Sequence, residues 1–280
     1  MSIWAAILLG LVQGIAEFLP ISSSGHLSIL QNFFGFQSPE EGHLFFDVLL
    51  HFATLISVCA VYRKDILAMI REVVALFKRK EVTPSDMERK ETNYPLRLVL
   101  MIVIATLPLV LVLPIKDHVE KLYYSSFFIG IALIATGFIL YISDRIVSGR
   151  KNEKNITVGN ALVIGLCQAV AIIPGLSRSG TTITAGIATG LNREFAVKFS
   201  FLLSIPAILG ANIISLFDAL KEGIDASLLP AYLIGMAVAM VSGYFAIGLV
   251  RLLSRKGKFG KFSYYCWGVG LITVILSLLV

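Results

Sequence analysis

Gln13-Gly14-Ile15-Ala16-Glu17-Phe18-Leu19-Pro20-Ile21-Ser22-Ser23-Ser24-Gly25-His26 and Gln168-Ala169-Val170-Ala171-Ile172-Ile173-Pro174-Gly175-Leu176-Ser177-Arg178-Ser179-Gly180-Thr181-Thr182 are the two stretches that decide the fold. Each closes an apolar run, at residues 3–19 and 158–173. Each then breaks at a proline and a Ser/Gly cluster. The chain resumes as a short, weakly apolar segment, 27–36 or 182–191. A crossing helix needs about 20 apolar residues, and neither half reaches that length. Both stretches therefore read as re-entrant helix–break–helix hairpins, 3–36 and 158–191. Unwound backbone at membrane depth is tolerated only where protein or a wet cavity surrounds it.

The two stretches also repeat each other. Gly10-Leu11-Val12-Gln13 matches Gly165-Leu166-Cys167-Gln168, Ala16 matches Ala171, and Ser22-Ser23-Ser24-Gly25 matches Ser177-Arg178-Ser179-Gly180. All fall at one offset, although Pro20 and Pro174 differ by one place.

The rest of the chain supports a polytopic helical membrane protein. Of its 280 residues 56% are hydrophobic and only 15% are charged, against about 25% charged in a soluble domain. That excludes a soluble enzyme, a disordered chain and a disulfide scaffold. Cys59, Cys167 and Cys266 are scattered through apolar stretches and form neither a disulfide framework nor a zinc site. The apolar start lacks a basic region and contains Glu17, so no cleaved signal peptide is expected. Six segments are long enough to cross: 44–62, which carries Asp47 and His51, then 98–115, 125–143, 199–217, 228–250 and 263–280. Pro108 and Pro206 should kink their spans. Residues 65–80 carry an apolar stripe (Ile66, Met69, Ile70, Val73, Val74, Phe77) and read as an amphipathic helix on the leaflet surface.

Seventeen basic residues lie in 63–90, 144–156 and 251–262, against three in 116–124 and 218–227. This places the first set in the cytoplasm and both termini outside. Three crossings follow each hairpin, and an odd number inverts the second copy. The expected architecture is all-α: one membrane domain, 1–280, of six transmembrane helices plus two hairpins. It is built as inverted-topology repeats at about 1–145 and 156–280. Such repeats bring their broken helices together inside the membrane.

Ionisable groups at that depth are functional candidates. The first hairpin offers Gln13, Glu17, Ser22, Ser23, Ser24, Gly25 and His26; the second offers Gln168, Ser177, Arg178, Ser179, Gly180, Thr181 and Thr182. Gln13 and Glu17 share one helix face. The fork of Arg178 suits phosphate oxygens, and a helix that begins at each break favours an anion. Together these point to a phosphate or pyrophosphate ligand. Glu17 would repel it unless it acts as a base or a divalent cation sits between them, Mg²⁺ or Ca²⁺. Glu17 and Arg178 could instead simply pair with each other. Asp47 and His51, four apart, could orient each other or line the cavity. Arg193 and Lys198 are expected to snorkel to the interface.

Both motifs resemble those of the undecaprenyl pyrophosphate phosphatase, or bacitracin-resistance, family: the stretch Gln13 to His26, and Pro174-Gly175-Leu176-Ser177-Arg178-Ser179-Gly180-Thr181-Thr182. The resemblance covers the whole chain in length, span count and hairpin placement. It implies a multi-pass enzyme of the bacterial plasma membrane, with its site open to the outer face. Such an enzyme removes the terminal phosphate of the C55 isoprenoid pyrophosphate, recycles the carrier for envelope synthesis and protects against bacitracin. It implies a divalent cation, a polyprenyl pyrophosphate substrate, membrane lipids as neighbours and no nucleic acid; a homodimer is among the assemblies it allows. Gln13 stands where the family has Glu or Gln, so Glu17 is the single carboxylate for the metal. The catalytic residues expected are Glu17, Ser23, His26 and Arg178. Substrate would be held by Gln13, Ser22, Ser24, Gly25, Ser177, Ser179, Gly180 and Thr182. Ser23 or His26 would attack the terminal phosphorus, or one of them would activate a water that does; Ser23 is the preferred nucleophile, with His26 as its acid–base partner. The competing class is an inverted-repeat transporter or flippase for a phosphorylated lipid or anion.

Overall fold

The computed structural model describes residues 1–34, 43–78, 94–222 and 226–279. Among these the chain is helical throughout, and its one β-bridge is the isolated pair Lys151 and Leu191. Each break separates two helices as expected; residues 35–36 of the first expected hairpin lie outside the described residues. Helix α1 (Ile3–Phe18) starts under the Ser2 hydroxyl, which accepts the Ala5 N–H at 3.1 Å. It stops at Leu19, which is extended (ψ 140°) because Pro20 follows. Helix α2 is Ser23–Phe34. In the second hairpin a Thr157/Asn160 capping box opens α8 (Val158–Val170). A break containing Gly175 at φ +90° then leads into α9 (Arg178–Ala188).

The other helices are α3 (His43–Val61), α4 (Arg63–Lys78), α5 (Tyr94–Thr106), α6 (Lys116–Leu122), α7 (Ser126–Ser143), α10 (Arg193–Glu222), α11 (Leu229–Arg255) and α12 (Lys261–Leu279). Among the described residues five helical stretches are long and apolar enough to cross a membrane: Tyr94–Leu122, α7, Arg193–Phe217 of α10, α11 and α12. A sixth is reached if α3 and α4, bent by 84° at Tyr62, count as one. Their outer faces are apolar, as Leu111, Phe245 and Leu278 show by their exposure.

Three expectations change in detail. The kink expected at Pro108 is a 3₁₀ stretch, Leu107–Ile115, between α5 and α6. Pro108 and Pro114 each remove a backbone donor, so the α-helical ladder cannot run through. Helix α10 starts at Arg193, six residues before the apolar window. Arg193 and Lys198 turn inward instead of snorkelling: Arg193 Nη2 donates to the carbonyls of Ser143, Asp144 and Ile146 at 3.1–3.4 Å, and Lys198 binds Asp65 at 2.6 Å. Helix α4 carries its apolar stripe as expected, with Ile70, Val74 and Phe77 exposed and Met69 buried.

The halves interlock. Helix α1 packs along α11, and α8 packs along α5 and the 3₁₀ stretch. Helices α2 and α9 both rest on α7, which also packs against α12. The repeated glycines make these crossings close. A Cβ on Gly10 would sit 2.4 Å from the Gly235 carbonyl oxygen, and one on Gly165 would sit 2.4 Å from the Ala105 carbonyl oxygen. Small residues at such crossings let backbones approach. Gly165→Val is therefore expected to lower stability by about 1–3 kcal/mol, because rigid backbone lies on both sides. Gly248→Ala, where nothing lies within 4 Å, should leave the unfolding temperature in detergent unchanged or higher.

Candidate active site

The two breaks meet, and inside the Ser/Gly clusters the side-chain hydrogen bonds are shared at every matched position but one. The Ser22 hydroxyl accepts the Gly25 N–H at 3.2 Å; the Ser177 hydroxyl accepts the Gly180 N–H at 3.1 Å. Each serine thus caps the helix that follows it. Ser22 Oγ lies 3.3 Å from Ser24 Oγ, and Ser177 Oγ lies 3.2 Å from Ser179 Oγ. Ser22 takes φ +72°, a left-handed conformation uncommon for a serine. The breaks also touch across the repeat: Gly175 N donates to Ser24 Oγ at 3.5 Å, and Ser179 Oγ donates to the Leu19 carbonyl at 3.4 Å. Thr136, on α7, fixes the second break by donating to the Gly175 carbonyl and accepting the Ser177 N–H, both at 3.0 Å.

The matched position that differs is Ser23 in the first hairpin and Arg178 in the second. Both reach Glu17. Ser23 Oγ donates to Glu17 Oε2 at 2.7 Å, Gln13 Nε2 donates to the same oxygen at 3.0 Å, and Arg178 Nη2 donates to Oε1. The Glu17 side chain is 3% exposed and that of Arg178 25%, so the carboxylate is sealed while the guanidinium still meets the open side. A buried carboxylate persists only with such partners. His51 Nε2 lies 3.9 Å from Glu17 Oε2. Its Nδ1 lies 2.8 Å from the Asp47 carbonyl, which can only accept, so that nitrogen holds the proton and Nε2 faces the carboxylate with its lone pair when the ring is neutral. Gln31 donates to the Asp47 carboxylate at 3.5 Å.

A hydroxyl hydrogen-bonded to a carboxylate, with a guanidinium on the other oxygen, is the arrangement for transferring a phosphoryl group. Comparison with known proteins shows the family to which the chain belongs. A family model described as bacitracin resistance protein BacA matches residues 6–272. The chain belongs to the BacA family. Undecaprenyl-diphosphatase from Carboxydothermus hydrogenoformans is 42% identical over 99% of this chain and 98% of that protein. The proteins of the same name from Alkaliphilus metalliredigens and Methanobrevibacter smithii are 41% and 43% identical, covering 99% or more of both chains. With its apolar helices, this BacA-family chain is a multi-pass membrane protein.

Within this family framework, the side chains read from the sequence divide into two groups. Gln13, Glu17, Ser23 and Arg178 converge. His26 lies elsewhere: its Nδ1 donates to the Ser22 carbonyl at 2.7 Å, and its Nε2 lies 2.8 Å from the Tyr265 hydroxyl, with the two rings stacked. The group hydrogen-bonded to Ser23 is thus Glu17, while the two ring nitrogens of His26 meet the Ser22 carbonyl and the Tyr265 hydroxyl. Thr182 is 2% exposed; its hydroxyl donates to the Arg178 carbonyl at 2.8 Å and lies 2.6 Å from Ser200 Oγ, which ties α9 to α10. Gln168 is also buried and lies against α5, 3.5 Å from the Ala105 carbonyl.

Tyr265, Thr136 and Tyr123 escape the sequence reading. Tyr123, just past α6, has its phenol pushed up to about 12, first by burial and then by the Asp47 and Glu17 carboxylates. It therefore stays protonated. A lone tyrosine or threonine in an apolar stretch gives no sequence signal; Asp47 and His51 do, as ionisable groups inside a span.

Among the described residues no three His, Cys, Asp or Glu side chains group as a metal site. Gln13 Oε1, however, is buried with no hydrogen-bond partner. One orphaned amide oxygen beside one carboxylate fits a hard cation that takes its remaining oxygens from phosphate and water.

Proposed function

We propose that this chain hydrolyses the terminal phosphoanhydride of undecaprenyl (C55) diphosphate, releasing undecaprenyl phosphate and inorganic phosphate. The observation that carries this reading is the meeting of Ser23 and Arg178, from opposite hairpins, on the single carboxylate of Glu17. The product is the reusable lipid carrier of envelope-polymer synthesis. Its release also depletes the diphosphate that bacitracin sequesters, which accounts for resistance.

The arriving diphosphate draws the Arg178 guanidinium onto its terminal oxygens, whose charge it stabilises through transfer. Ser23 Oγ bonds to the terminal phosphorus as its proton passes to Glu17 Oε2. The bond from phosphorus to the bridging oxygen breaks, and undecaprenyl phosphate leaves with the electron pair. Water then displaces Ser23 from phosphorus. Glu17 returns its proton to Ser23, and the attacking water keeps both of its protons on the phosphate, which leaves as H₂PO₄⁻. His26 positions Ser22 and the turn that aims Ser23. Glu17 and Gln13 Oε1 would hold a divalent cation, Mg²⁺ or Ca²⁺, which would supply charge neutralisation for the diphosphate. Ser177, Ser179 and Gly180 act by building the start of α9, so that Arg178 sits at its first turn, where the helix dipole favours an anion. Every side chain in this mechanism comes from one copy of the chain.

The matched hairpins, each packed on the middle crossing of the other half, support inverted-topology repeats. The bias of basic residues supports both termini outside, in a bacterial plasma membrane, with the site open to the outer face. The expected result is phosphate release from C55 diphosphate by the detergent-purified protein, restored by Mg²⁺ or Ca²⁺ after chelation. No release from folded protein with any divalent cation would overturn the reading, and a flux assay in liposomes would then test transport.

A further inference from the structure

Where α3 turns by 84° into α4 at Tyr62 lies a cavity of about 780 Å³. Tyr62 is eleven residues beyond His51 on the same helix, about 16 Å along its axis, so this cavity is separate from the Glu17 site. Its walls come from the ends of α3 and α11, the start of α10 and the loop before α8.

The charges in the cavity do not balance. Its three acids are already engaged: Lys198 binds Asp65 at 2.6 Å and lies 4.0 Å from Glu153, and Arg255 binds Glu194 at 2.8 Å. Arg251 also lines the cavity, and among the described residues no carboxylate pairs with it. Its guanidinium carbon lies 5.7 Å from the centre of the Tyr62 ring. Tyr62 is 4% exposed, and its hydroxyl is buried with no hydrogen-bond partner. A buried hydroxyl left unpaired is costly, and an acceptor arriving in the cavity removes that cost. Tyrosine is also a donor that suits phosphate oxygens, and a guanidinium supplies the charge. The rim includes Ala60 and Tyr244, both exposed on the apolar outer surface, so the cavity opens toward lipid as well as toward the basic loops.

We propose that this cavity is a second phosphate-binding site, in which Arg251 and the Tyr62 hydroxyl hold the phosphate group of an anionic lipid or a free phosphate ion. The ligand enters at the basic end of the helices, and its binding needs neither Glu17 nor Arg178.

The test uses the delipidated full chain in detergent, with dioleoyl phosphatidic acid as the probe and diacylglycerol as the phosphate-free control. Adducts are read by native mass spectrometry and by the unfolding temperature. Wild type is expected to hold one phosphatidic acid more tightly than the others and to gain thermal stability from it; diacylglycerol should give neither effect. Tyr62→Phe should weaken that first binding by about tenfold. Without lipid, Tyr62→Phe should unfold at the same temperature or higher, since the hydroxyl it loses has no partner. Arg251→Gln should weaken binding at least as much, and Lys256→Gln, at the end of the same helix but outside the cavity, should not. Displacement by millimolar inorganic phosphate identifies the free ion as ligand, and its absence identifies the lipid headgroup; either supports the site. Wild-type binding in Tyr62→Phe overturns the proposal. So does an equal loss in Lys256→Gln and Arg251→Gln, which would show only the attraction of a basic surface for anionic lipid.

Discussion

Glu17→Gln is expected to lower kcat for phosphate release from undecaprenyl diphosphate by about 10³–10⁴-fold. The substitution keeps the shape of the side chain. An amide oxygen can still accept from Ser23, but it cannot take the proton as Ser23 attacks. It also leaves the cation with two neutral oxygens, Gln13 Oε1 and the new amide, and no carboxylate. The loss of stability should be much smaller than the loss of rate. Arg178 would lose its countercharge, yet its side chain is 25% exposed and retains water, so the protein should fold and bind detergent micelles normally. Stopped-time phosphate release beside a thermal unfolding curve separates the two effects. A variant with near-wild-type kcat would remove Glu17 from the chemistry and leave it as the structural partner of Arg178.

Arg178→Lys is expected to lower kcat/KM by about 10³-fold. Lysine keeps the charge that Glu17 needs, so the site should remain assembled. It loses the planar fork that reaches two oxygens of the terminal phosphoryl group and follows them as their charge spreads. The effect should fall on kcat more than on KM if the guanidinium tightens in the transition state. A rise in KM with kcat intact would instead make Arg178 a uniform binding group. Steady-state kinetics in detergent, with substrate kept above KM, distinguish these outcomes.

How much of this was legible in sequence follows from the range over which each signal acts. The hairpins are local: Pro20 with the Ser/Gly cluster, and Pro174-Gly175 with its counterpart, interrupt apolar runs too short to cross. Their alignment at one offset foretold the paired caps of Ser22 and Ser177, because a cap involves only three residues of chain. Within the Ser/Gly clusters it also set Ser23 against Arg178, a contrast that acquires meaning only when both are seen on Glu17. The partner of Ser23 was not legible. Spacing suggested His26, three residues on, but one helical turn brings that ring back to the Ser22 carbonyl, and Tyr265 takes its far nitrogen from 239 residues away. Glu17, six residues before Ser23, reaches it because the break at Pro20 folds α1 and α2 together. Helix ends were less legible than helices. Hydropathy marks where lipid begins, so it missed the first six residues of α10, which Arg193 anchors through backbone carbonyls. Pro108 was visible as a disturbance, but the 3₁₀ stretch arises from Pro108 and Pro114 acting together.

The central claim is that two hairpins, one in each half of the chain, form one phosphoryl-transfer site. The most direct test is a double-mutant cycle on phosphate release with Glu17→Gln, Arg178→Lys and the two combined. Residues that act as a unit lose function together, so their effects are far from additive. The account predicts that the double variant falls no more than about tenfold below the slower single variant. Losses that multiply, taking the double variant to the product of the two single effects, would mean that Glu17 and Arg178 act independently, and would contradict the shared site.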